Sequence, residues 1–146
     1  MSSYSMTAVE DAILAALQVE MGSQLQTLET YQGDWRADLE RRTWRLPAAL
    51  VTLVRQQGEQ VAWGSYDLIL DVAVLVLVRQ LRGEGEGRRG DGGVYELLES
   101  VRRALWHQDL GLELQPLALL KEEALLSTPE LVVYGAYYRT GTWQDF

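Results

Sequence analysis

The chain has 146 residues, 47% of them apolar, with a formal net charge of −8, one histidine and no cysteine. That length suits a single domain over residues 1–146, burying about two thirds of its surface on folding. The missing cysteines exclude disulfides, thiolate metal sites and cysteine nucleophiles and fit a reducing cytoplasm, while the acidic balance argues against a protein that grips nucleic-acid phosphate.

In chain order, Thr7 and Glu10 have capping-box spacing ahead of Val9, Ile13, Leu14, Leu17 and Met21, with Gly22 as a stop, and predict a first helix. Leu25 to Tyr31 reads as a short strand or an extended linker. Asp34 caps a second short helix through Arg42, with Trp35 and Leu39 one turn apart and Pro47 ending it. Pro47 to Val54 is rich in small and β-branched residues and reads as a strand, QQGEQ as a turn, and Leu68 to Val78 as a long strand completing an antiparallel hairpin. In that last run the even positions are all apolar, whereas the odd positions are polar at the ends and apolar between, so one face is buried throughout and the other only in its middle. Such a strand spans on the order of 40 Å, which suggests that it outruns its own core and meets a neighbouring subunit.

A charged glycine loop follows, and after Asp91-Gly92-Gly93 a third helix is expected with Val94, Leu97, Leu98, Val101 and Leu105 on one face. Asp91 would cap it; Glu96 and Glu99 come early and Arg102 and Arg103 late, in agreement with the helix dipole. Leu117 to Leu126 and Leu131 to Thr140 read as two closing strands around Ser127-Thr128-Pro129, although Leu119 to Leu126, LLKEEALL, could also form a helical turn. The expected fold class is therefore α+β, a mixed and mainly antiparallel sheet with a long hairpin, flanked by about three helices.

Gly85-Glu86-Gly87-Arg88-Arg89-Gly90 is a literal GxGxxG between strand and helix. The helix begins too late to touch a pyrophosphate, Glu84 and Glu86 would repel one, and parallel βαβ units are missing, so the segment reads as a flexible or partner-ordered loop. No lysine followed by serine or threonine makes it a Walker loop, and Arg89-Gly90-Asp91 is a chance tripeptide. His107, just past the third helix, suits the helix C-terminus better than catalysis. Glu122 and Glu123 point to opposite sides of a strand and make no carboxylate metal pair. No triad, metal motif or paired-acid site stands out: no catalytic, cofactor or metal residue is expected, and the chain does not read as an enzyme. Neither a signal peptide nor a membrane span is expected, because the N-terminus lacks basic and apolar regions and the run at Leu68 to Val78 is short and contains Asp71.

Twelve arginines and a single lysine make up the 13 basic residues, a balance suited to fixed pairing with carboxylates at interfaces. Three of them, Arg41, Arg42 and Arg45, form one group. Arg79, Arg82, Arg88 and Arg89 surround the glycine loop and are candidate contacts to a neighbouring subunit or tail protein. Trp35, Trp44 and Trp63 are expected in the core. Trp143 and Phe146, after Gly141 at the end of the chain, are expected to dock on the same chain or the next.

PAALVTL, then DVAVLVLVRQLRGEGEGRRGDGGVYELLESVRRAL, then LGLELQPL and a final strand before a tyrosine-rich end together resemble Mu-like phage tail proteins encoded beside the sheath, which act as tail terminators. The closest pattern is Val78-Arg79, Leu81-Arg82-Gly83, Arg88-Arg89-Gly90, Gly93 to Leu98 and Leu110-Gly111-Leu112. Leu119 to Leu126 departs from it, with Glu122-Glu123 where a basic strand is expected. The resemblance implies a small α/β domain forming a sixfold ring that ends the tail tube and joins tail to head. It also implies the partners: other copies of the chain, tube and possibly sheath proteins, a neck connector, and DNA only passing through, with no membrane and no cofactor. The protein would then reside in the tail-neck region of the virion after assembly in the host cytoplasm. Another neck or connector protein, or an unrelated small enzyme or ligand-binding domain, are the alternatives.

Overall fold

The computed structural model describes residues 4–41, 44–80 and 84–146. Its elements run α1 (Met6–Met21), β1 (Thr27–Thr30), α2 (Trp35–Arg41), β2 (Ala48–Ala62), β3 (Ser65–Arg79), α3 (Glu84–Arg89), α4 (Val94–Leu105), β4 (Ala118–Ser127) and β5 (Leu131–Asp145), with a 3-10 turn at Gly22–Gln24. The five strands form one sheet in the order β1-β2-β3-β5-β4. β1 lies parallel to β2 and every other neighbour is antiparallel, so the α+β class and the mixed sheet with its long hairpin are as expected.

Side-chain alternation divides the sheet into two faces. On one, the even positions of β3 from Leu70 to Val78 meet Val9, Ile13, Leu17 and Met21 of α1 and Val94, Leu97, Val101 and Leu105 of α4. On the other, Leu75, Leu77, Leu50 and Val133 are covered only at one end, by Tyr31, Trp44 and the partly buried Trp35 and Leu39 of α2. From Leu70 to Val78 every residue of the central β3 is buried: the even face along that stretch and the middle of the odd face as expected, with Asp71, expected at a polar end, buried as well.

Several local expectations are corrected. The α1 cap is Ser5, whose hydroxyl accepts from the Ala8 N–H at 3.0 Å, and not Thr7, which already lies inside the helix. QQGEQ is no turn: β2 runs straight through it and the chain reverses at Trp63-Gly64, where Gly64 supplies a φ of 73°. The glycine-rich segment is helical over Glu84–Arg89, with Arg88 and Arg89 in its last turn, where the dipole favours cations. The α4 N-cap is Gly93 with no side-chain cap; Asp91 does not fill that role, and Glu96 reaches back to the Gly92 N–H at 3.1 Å instead. A Cβ at Gly93 would stand 2.8 Å from the Gly90 carbonyl oxygen, which is why glycine occupies that position.

Other expectations hold. Asp34 accepts from the N–H groups of Arg36 and Ala37 at the start of α2, although Arg42, its expected end, lies outside the described residues. His107 follows α4 as the sequence places it, exposed and with a φ of 61°, but it is its backbone N–H that bonds, to the Leu117 carbonyl, and not its imidazole to the helix end. Glu122 and Glu123 do face opposite sides: Glu122 pairs with Arg102 of α4 at 2.6 Å, and Glu123 with Lys121 at 3.4 Å. The acidic strand thus matches a basic helix C-terminus.

Candidate assembly surface

The hairpin β2–β3 and the last third of β5 run past the helices as a three-stranded arm. Every residue of β2 from Val54 to Ala62 is exposed: β1 covers only Ala48 to Val51, and beyond it Tyr4, just ahead of α1, donates its hydroxyl to Gln56 at 2.8 Å. In this arm Gln60, Tyr66 and Gln144 stand at one level, and Gly58, Leu68 and Thr142 at the next. Close approach of β5 to β3 depends on Gly141, where a Cβ would stand 2.7 Å from the Leu68 carbonyl oxygen.

Large apolar side chains collect at the tip. Trp63 is 96% exposed and Phe146 89%, with Val61 and Trp143 also open to solvent. Trp63 was expected in the core; it stands at the hairpin turn, where no other layer can cover it. Phe146 is tied down at both ends of its residue. Its N–H donates to the Gly64 carbonyl at 2.7 Å and its ring meets Tyr66 edge-on at 6.0 Å. Trp63, Tyr66, Leu68 and Phe146, flanked by Gln60 and Gln144, line a shallow concavity of about 750 Å³.

At the root of the arm, on the face away from α1 and α4, Asp71 of β3 lies between Arg139 of β5 and Arg55 of β2. Arg139 donates to both carboxylate oxygens, at 2.7 and 3.1 Å, and Arg55 to one at 3.0 Å. The hydrogen bond from Arg139 is the main reason that the Asp71 carboxyl titrates below its usual range, with burial opposing it and Arg55 assisting. Sequence reading noticed Asp71 as a polar break in an apolar run but missed its two partners, whose strands are joined to β3 only by the sheet register.

The candidate contact residues separate into two groups. Trp143 and Phe146 lie on the arm, beside Trp63 and Tyr66. Arg79 is exposed at the other end of β3, opposite Leu131, and Arg88 and Arg89 follow in α3, with Arg88 close enough to Tyr134 to influence its hydroxyl. Arg82 lies outside the described residues. The 15 residues of β3 separate the two groups by on the order of 45 Å, so arginines and terminal aromatics do not form one patch.

A protein-family model described as bacteriophage Mu, Gp37 matches residues 5–140, which include every helix and all but the last residues of β5. No curated protein matches the chain.

Proposed function

The chain belongs to the bacteriophage Mu Gp37 family, and from that membership and the projecting arm we propose that it is a structural protein of the virion. In this reading copies of the chain form a ring, sixfold by the resemblance to tail terminators, which ends the tail tube and joins the tail to the head. The observation that carries it is the arm: a three-stranded extension without its own core, tipped by Trp63 and Phe146 at 96% and 89% exposure. A patch of large exposed rings on an acidic domain is a surface for protein partners. The opposite end, with Arg79, Arg88 and Arg89, supplies a second surface of different chemistry, as a terminator needs to meet the tube on one side and a connector on the other. The net charge of −8 also suits a lumen through which DNA slides without sticking. No bond chemistry is asked of any residue.

Deleting the gene tests the role. Tails of uncontrolled length beside full, tailless heads are expected, and adding the purified protein should cap tails and make them competent to join heads. Normal-length tails that still attach to heads overturn the reading. Normal-length tails that fail to attach assign the protein to the neck connector instead.

A further inference from the structure

Among the described residues, the outer margin of β2 has no strand beside it from Arg55 to Val61. Nearer the body, Tyr31 donates to the Val51 carbonyl and Gln32 to Thr52 and the Leu53 carbonyl, and Tyr4 then reaches the Gln56 side chain. The register fixes which backbone groups of the segment face outward. The Gly141 carbonyl accepts from Gln115, away from β3, so Ile69 opposite it turns its own groups towards Gln57. By alternation Gln56, Gly58 and Gln60 point theirs out. The segment holds neither lysine nor proline, which commonly protect a free edge, and has no register shift between Arg55 and Gln60.

The two faces of the arm differ along this edge. Gln56, Gly58 and Gln60 lie on the side of Leu70, Leu68 and Tyr66, an uncharged face that floors the ring-lined concavity of about 750 Å³. Gly58 leaves a gap there, since a Cβ on it would meet nothing within 4 Å. On the other face Glu59 and Asp67 stand directly opposite each other, an unfavourable pairing of like charges, with Asp145 near them. The arm's own cations, Arg55 and Arg139, are both engaged with Asp71. One side of the edge thus suits a large apolar group and the other a cation.

These features fit strand addition, in which backbone hydrogen bonds supply affinity and alternate side chains supply selectivity. We propose that the β2 edge, Arg55 to Val61, receives an extended segment of a different protein of the tail, with large apolar residues on its inward row and lysine or arginine on its outward row. The inward row rests on Leu68 and Tyr66 through the gap at Gly58, and a basic residue neutralises Glu59 and Asp67. Trp63 and Phe146, beyond it at the tip, remain for a neighbouring copy. A second copy is the poorer match for the edge itself. The outermost strands of the sheet, β1 and β4, carry Glu29, Glu122 and Glu123 and a single lysine between them, which sets acid against acid. This rests on the virion reading and names the chemistry of one partner within it.

Hydrogen exchange on the full chain, free and bound to purified tails assembled without it, tests the edge. The amides of Gln56, Gly58 and Gln60 should exchange rapidly in the free chain and slowly on tails, whereas those of Gln57 and Glu59, which face β3, should be slow in both. Gly58→Pro removes one outward N–H and should weaken binding to tails about tenfold. Glu59→Lys leaves the backbone groups intact and should weaken binding most at low salt, where charge repulsion is least screened. Equal exchange rates free and on tails, or wild-type binding by both variants, overturn the added strand and leave the virion reading standing. Slow exchange of the outward amides in the chain's own oligomer, before tails are added, gives the edge to a second copy and overturns the foreign segment. A chain that does not bind tails at all overturns the virion reading with it.

Discussion

At the residue scale three side chains have consequences that solution measurements can reach. Ser5 is the cap of α1, so Ser5→Ala should cost about 1 kcal/mol and Thr7→Ala almost nothing. Urea midpoints of the two variants check this, and the reverse order would restore the capping box at Thr7. Asp71 is held charged by Arg139 and Arg55 in the fold. A carboxylate with a depressed folded pKa stabilises the protein above its unfolded value, near about 3.9, and that stability is lost as pH falls through the folded value. Asp71→Asn should therefore cost about 2 kcal/mol at neutral pH, the order expected for hydrogen bonds between charged groups. The gap from the wild type should narrow as pH drops below about 4. Tyr138 is 0% exposed, yet its hydroxyl has no partner among the described residues, and burial pushes its pKa up. Removing an unsatisfied buried hydroxyl relieves a desolvation cost. Tyr138→Phe should leave the melting temperature unchanged or raise it, by up to about 1 kcal/mol in stability; a clear loss would reveal a partner for the hydroxyl.

At the element scale the arm is the part whose mutations should separate folding from assembly. Trp63→Ser and Phe146→Ser alter side chains that are almost wholly solvated, so each should change stability by no more than about 0.5 kcal/mol. Ring formation, read by mass in solution, should suffer in both. Removing residues 141–146 is a harsher change than chain position alone suggests. Gly141 and Thr142 are buried and β5 pairs with β3 as far as Asp145. The truncation should therefore lower the melting temperature of the isolated chain as well as weaken assembly, whereas the two point variants should affect assembly alone.

At the scale of the whole molecule the arginine end and the aromatic end are distinct, and their partners should differ in salt sensitivity. Replacing Arg79 and Arg89, both exposed, with Ser should leave the monomer's denaturation midpoint within about 0.5 kcal/mol of wild type. Capping of tails in vitro should weaken, most visibly at low ionic strength, because the Debye length shortens as salt rises. Equal capping by variant and wild type at every salt concentration would remove these arginines from the contact surface.

How much of this was legible in the sequence depended on whether local or distant residues decide. The helices α1 and α4 follow from apolar spacing, and the apolar positions assigned to α4 are all buried, because a helix face is set by residues three and four apart. The β2–β3 pairing and the last strand were readable for a similar reason, since alternation is a local signal, although the turn between β2 and β3 was misplaced and Leu119 to Leu126 could also have been helical. Strand length was not. QQGEQ resembles a turn by composition, and only pairing with β3, whose own register is held by β5, makes it the edge of an arm. The same cooperation hid the Asp71 cluster, assembled from Arg55 and Arg139 across three strands, and the exposure of Trp63, since nothing in a tryptophan's neighbours says which layer will be absent above it. Sequence alone determined the fold class and the likeness to a Mu-like phage protein. Tertiary structure decided where the sheet outgrows its helices and which edges it leaves unpaired, because cover and edges are properties of how all the elements stack and belong to no single segment.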